Sequence, residues 1–149
     1  MSDSGFDLGL DDASRAGVFF VATDDLDTLD AAARDAGLLA RRIDLFGCES
    51  KAMLLLRFAV ALDFPASSGR NWDALSDSLR DLSWLPAPGY ALLLDSASGL
   101  HRAEGDDFDT LLSILDEARA FWAEHELPFW VFVALDEKDF DEMEAQVAL

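Results

Sequence analysis

Asp73, Asp77 and Asp81 recur at intervals of four in the run WDALSDSLRDL. On a helix of 3.6 residues per turn this spacing sets three carboxylates along one face. Two kinds of chemistry suit such a line. Asp73 and Asp77, one turn apart, could share a divalent ion or work as an acid and base pair. Alternatively the line is an anionic surface that engages the cations of a partner. The plain counterpart to both is a solvated helix face, which any chain rich in acids can produce. Catalysis lacks company here. No nucleophile or cofactor motif lies nearby, the glycines form neither a Walker nor a dinucleotide loop, and Cys48, His101 and His125 are not spaced to hold zinc. His101 is expected in a loop and His125 near the end of a long helix, both as surface residues. The sequence therefore assigns no catalytic residue, no metal ligand and no cofactor. Nor does the line serve helix stability: each like-charged i, i+4 pair costs a helix about 0.2–0.5 kcal/mol. Only Asp73, in the first turn, is favoured by the helix dipole.

The elements around the acids explain how they are presented. Phe64-Pro65 closes a preceding apolar helix, because proline lacks the next donor and pushes its neighbour out of the helical region. Ser67-Ser68-Gly69 has turn chemistry, and Asn71 is a good N-cap for a helix over residues 72 to about 82. Trp72, Leu75, Leu79 and Leu82 share the face that packs, which places Trp72 in the core. Arg70 and Arg80 flank the acidic line as positive charges that could repel a basic partner, or pair with Asp73 and Asp77 when no partner is bound.

The pattern FPxxxGxNWDALxDxL, with Phe64, Pro65, Gly69, Asn71, Trp72, Asp73, Ala74, Leu75, Asp77 and Leu79 in place, resembles the barstar family of intracellular ribonuclease inhibitors. The likeness extends more weakly over residues 39 to 135 through the order of strands and helices. It implies a binding protein and not an enzyme, whose acidic helix and preceding loop occlude a ribonuclease active site. By that resemblance Asp77 takes the place of substrate phosphate and Asp73 pairs with a neighbouring cation. Glu117, in ILDEARAFW, adds an acid from the long helix, and Gly69 and Asn71 mark the close approach of loop and helix start. Ser67, Ser68 and Ser76 stand where barstar carries contact aromatics, and Arg80 adds a positive charge beside the line. Ser67, Ser76 and Arg80 thus belong to the expected partner-binding set, and the partner expected is a secreted ribonuclease of barnase type or another nuclease toxin.

Short apolar runs at residues 18–21, 38–45, 90–94 and 129–135 read as strands. Between them lie helical patterns carried by Leu26, Leu29, Ala33 and Ala36, by Ala52, Leu55, Leu56, Ala59 and Leu62, and by Phe108, Leu111, Leu112, Leu115, Ala118, Phe121 and Trp122. This alternation predicts an α/β fold with a small parallel sheet, extended at the N-terminus by a strand-helix unit. Arg41-Arg42 interrupts residues 38–45 and places at least one arginine on an exposed face or edge. Residues 1–15 read as a mobile arm, and 16–149 as one domain with a short C-terminal helix around Phe140, Met143 and Val147. The formal net charge is −19, which opposes nucleic-acid and anionic-membrane binding and favours a basic protein partner. A single cysteine and an acidic N-terminus without an apolar leader suggest a cytoplasmic setting. Two further readings fit the same composition: a regulatory interaction protein with a non-nuclease partner, and an acidic mimic of nucleic acid. Oligomeric state is not encoded legibly.

Overall fold

The computed structural model describes residues 9–65, 69–103 and 105–136. Its four strands are β1 (Val18–Ala22), β2 (Leu39–Asp44), β3 (Tyr90–Asp95) and β4 (Phe129–Leu135). The helices are α1 (Leu26–Asp35), α2 (Lys51–Ala61), α3 (Trp72–Leu79), α4 (Ser98–Ala103) and α5 (Gly105–Ala123). All strand pairs are parallel, in the order β1-β4-β3-β2. YALLLD and FWVFVAL take the two central places because neither run offers a polar face to water; Val131 of β4 lies between Val18 of β1 and Leu92 of β3. The fold is the α/β arrangement expected.

Alternation along the strands builds a core on each side of the sheet. Ile43, Leu92, Leu94, Phe129, Val131 and Val133 face α2, α3 and α5, where they meet Leu55, Phe58, Leu75, Leu79, Leu111 and Leu115. On the opposite side Ala40, Ala91, Leu93, Trp130 and Phe132 meet Leu26 and Ala33 of α1, with Leu10 alongside. The Trp130 indole N–H donates to the Leu10 carbonyl at 2.8 Å, so the described part of the N-terminal arm is docked here from Leu10 onward. Arg41 and Arg42 occupy successive positions of edge strand β2, and a strand turns successive side chains to opposite faces. Accordingly Arg41 reaches the end of α2, bonding the Ala61 carbonyl and Asp63 at 3.1 Å each, whereas Arg42 pairs with Asp27 in the first turn of α1 at 2.7 Å.

The structure corrects three expectations. The buried face of α2 is Leu54, Leu55 and Phe58, while Ala52 and Leu56 are exposed. KAMLLLRFAVA is apolar almost all round, so its period does not select a face; the bulk of Phe58 does, with Arg57 reaching back to the Asp44 carbonyl at 2.6 Å. The helix expected to run to residue 82 stops at Leu79. Arg80 caps it, the Asp81 and Leu82 amides both turn to the Ser78 carbonyl, and Leu82 takes a left-handed φ of 51° that lets its side chain bury. His101 lies on α4 and not in a loop. It is half-buried, with its ring 5.0 Å from that of Phe108. The expected C-terminal helix around Phe140, Met143 and Val147 lies outside the described residues.

Candidate protein-binding site

Helix α3 is held by one face and open on the other. At its start the extended Asn71 places Oδ1 2.7 Å from the Ala74 amide, which donates to it, satisfying one of the first-turn donors. Leu75 and Leu79 are buried against the main core. At its end the Trp122 indole N–H of α5 donates to the Leu79 carbonyl at 2.8 Å, satisfying a terminal acceptor. Trp122 is in turn stacked at an angle on Tyr90, whose hydroxyl donates to the Leu85 carbonyl at 2.6 Å and whose pKa is pushed up by burial. Trp72 is half-buried against the core, as its place on the leucine face implied, and Lys51 Nζ sits 5.3 Å from its ring centroid. The backbone of α3 is thus fixed at both ends before any partner arrives.

The outward face carries the chemistry. Asp73 is exposed, and among the described residues no ion pair engages it. Asp77 has 77% of its side chain exposed and receives Arg80 Nη2 at 3.0 Å. Arg80 also donates from Nε to the Ser76 carbonyl at 3.3 Å, across the half-buried Ser76. Glu117 is exposed on α5, the helix that packs beside α3, while its neighbours Asp116 and Arg119 pair with each other at 2.8 Å. Asp73, Ser76, Asp77 and Arg80 therefore share α3 and its cap, with Glu117 on the adjoining helix. Asp81 leaves the line because the helix has ended. Ser67 and Ser68 lie outside the described residues.

Before α3 the chain borders a small pocket of about 110 Å³, lined by Leu55, Ala59, Phe64 and Pro65 together with Gly69, Arg70, Asn71 and Leu75. The sequence does not announce this pocket, because it depends on how α2 lies against the loop; the small Ala59 and Gly69 in its lining are the one signal it leaves. At Gly69 a Cβ would stand 3.5 Å from Ala74 Cβ and Asn71 Nδ2, an ordinary contact. The fold does not require glycine there. Among the described residues no three His, Cys, Asp or Glu side chains are grouped to hold a metal, and no helix is long and apolar enough to cross a membrane. What the arrangement offers is a rigid anionic ridge beside a small recess.

Comparisons with known proteins bear on the same stretch. The family model described as Barstar (barnase inhibitor) matches residues 38–134, which take in α3, the loop before it and α5, and leave β1 and α1 outside. Comparison with curated proteins gives no match. Among solved structures the chain is similar to the ORC2 protein of Aeropyrum pernix in its ADPNP-ADP complexes, with a TM-score of 0.54 at 14% identity. That similarity covers 89% of this chain and 38% of the ORC2 chain, so the chain spans well under half the length of that structure. At such identity the likeness concerns the fold alone.

Proposed function

The chain belongs to the barstar (barnase inhibitor) family, and from that premise we propose that it inhibits a ribonuclease by covering the active site with α3 and the loop before it. The observation that carries this reading is the pair of exposed carboxylates, Asp73 and Asp77, on a helix whose opposite face is locked into the core. A ribonuclease site is built to attract a polyanion. A fixed row of carboxylates can steer the approach and then satisfy cations that the interface would otherwise bury unpaired. Steering and charge pairing of this kind operate between barnase and barstar themselves.

In this account Asp77 occupies the place of a substrate phosphate, Asp73 pairs with an adjacent cation, and Glu117 contributes from α5. Gly69 and Asn71 form the rim where backbone comes close to the enzyme, and Ser67 and Ser76 are small contact positions. No bond is made or broken: inhibition is occupancy. An interface of about 1,200–2,000 Å² is sufficient for a stable complex of this kind. The partner is a basic ribonuclease of barnase type or another nuclease toxin, met in the cytoplasm. Ser67 and Ser76 lack the aromatic bulk that commonly anchors an interface, which favours a ribonuclease whose surface differs from that of barnase.

Titration against barnase and a panel of barnase-type ribonucleases, followed by RNA cleavage and by heat, tests this directly. The expected result is inhibition saturating at one equivalent for at least one member, lost in Asp77→Ala. Absence of inhibition across the panel would overturn the reading.

A further inference from the structure

The ion pair that closes α3 bears on which ribonuclease the protein accepts. Arg80 follows Asp77 by one turn, with Nη2 3.0 Å from Asp77 Oδ1 and Nε 3.3 Å from the Ser76 carbonyl. The second bond matters, because it ties the guanidinium to the helix backbone and so keeps it beside the carboxylate. Ser76 has no bulk to obstruct this path across the helix. The two side chains remain 42% and 77% exposed, and an exposed pair of this kind contributes little to stability. Separating Arg80 from Asp77 is therefore not what discriminates between partners.

Discrimination arises when the ridge is covered. Since Arg80 shares a helical turn with Asp77, a surface that receives Asp77 receives Arg80 as well. A site offering only cations attracts the carboxylate and repels the guanidinium, and it leaves a desolvated Arg80 without an acceptor beyond those it already has. A site that sets a carboxylate beside its cation satisfies both groups in an alternating network of four charges. Asp73, which has no such counter-ion among the described residues, supplies attraction to either kind of site.

We propose that Arg80 is a specificity-determining residue of the acidic helix, selecting a ribonuclease that carries an acidic side chain beside the cation that receives Asp77. This rests on the inhibitor reading above and adds the chemistry of the partner's site.

The test uses the same probes, barnase and a panel of barnase-type ribonucleases of known sequence, with wild type, Arg80→Ala, Arg80→Lys, Asp77→Ala and the Arg80→Ala/Asp77→Ala double variant. Thermal melting of each variant verifies folding. For a ribonuclease that the wild type inhibits, Arg80→Ala is expected to weaken inhibition about tenfold or more, with Arg80→Lys between, and the double-variant cycle is non-additive. For members that the wild type rejects, Arg80→Ala is expected to gain inhibition, and the gain disappears in the double variant. The preference order across the panel therefore changes. An Asp77-dependent inhibition that Arg80→Ala leaves within threefold, or shifts by one common factor for every member, overturns this proposal while the inhibitor reading stands. No inhibition by either wild type or Arg80→Ala overturns both.

Discussion

Gly69 and Gly89 look alike in the sequence, each sitting in a turn before a regular element, yet the structure gives them opposite roles. A Cβ at Gly89 would lie 2.5 Å from Leu38 Cδ2, 2.7 Å from Pro128 Cγ and 3.1 Å from the Pro128 carbonyl oxygen. The entries to β2, β3 and β4 converge there, and only a bare backbone fits. Gly89→Ala is expected to destabilise by about 1–3 kcal/mol through overpacking, whereas Gly69→Ala should stay within about 0.5 kcal/mol of wild type; urea unfolding measures both. If Gly69→Ala nonetheless weakens ribonuclease binding, the close approach at that position belongs to the partner. At this scale the sequence is legible where the chemistry is local. Asn71 caps the amide three residues on, and Asp77 lies on the face its spacing implied. Gly89 is not legible in the same way, because the atoms that forbid a side chain come from Leu38 and Pro128, far along the chain.

Elements are most legible in the sequence where their apolar pattern is unbroken. The runs of β3 and β4 are uninterrupted, and both emerge as central strands. In helix α2 the sequence does not show which face is buried, because apolar residues surround it, and helix α3 ends three residues short of its apolar period, because Leu82 fits that period while its backbone turns left-handed. The strand-helix unit at the N-terminus is legible in the sequence as an addition, but its purpose emerges only from the packing. It lies outside residues 38–134 of the family match, pairs β1 with β4, and lays α1 over the face that holds Trp130, Phe132 and Leu93. Leu26, fully buried in that layer, is its anchor. Leu26→Ala is expected to cost about 2–5 kcal/mol in urea unfolding. A cost below 1 kcal/mol would mean that α1 is a loose appendage and that the second core does not contribute to the fold.

Over the whole molecule the dominant physical property is its charge. A formal net charge of −19 carries a long-range field at low salt, and screening shortens its reach from about 30 Å at 0.01 M to about 8 Å at 0.15 M ionic strength. For a cationic ribonuclease the association rate should fall about tenfold or more over that range while dissociation changes little. Stopped-flow measurement separates the two rates. Equal changes in both would place the salt effect in short-range contacts and remove steering from the account.

The central claim is that Asp77 serves recognition and not folding. It is tested most directly by measuring, for Asp77→Ala, the inhibition constant toward an inhibited ribonuclease and the free energy of unfolding in urea. The exposed pair with Arg80 contributes about 0–1 kcal/mol to stability, so unfolding should change by no more than that. Binding should weaken by about 3–5 kcal/mol, a hundredfold or more, because a cation in the interface loses its counter-charge. Binding that is unchanged, or that falls only in step with stability, would contradict the account.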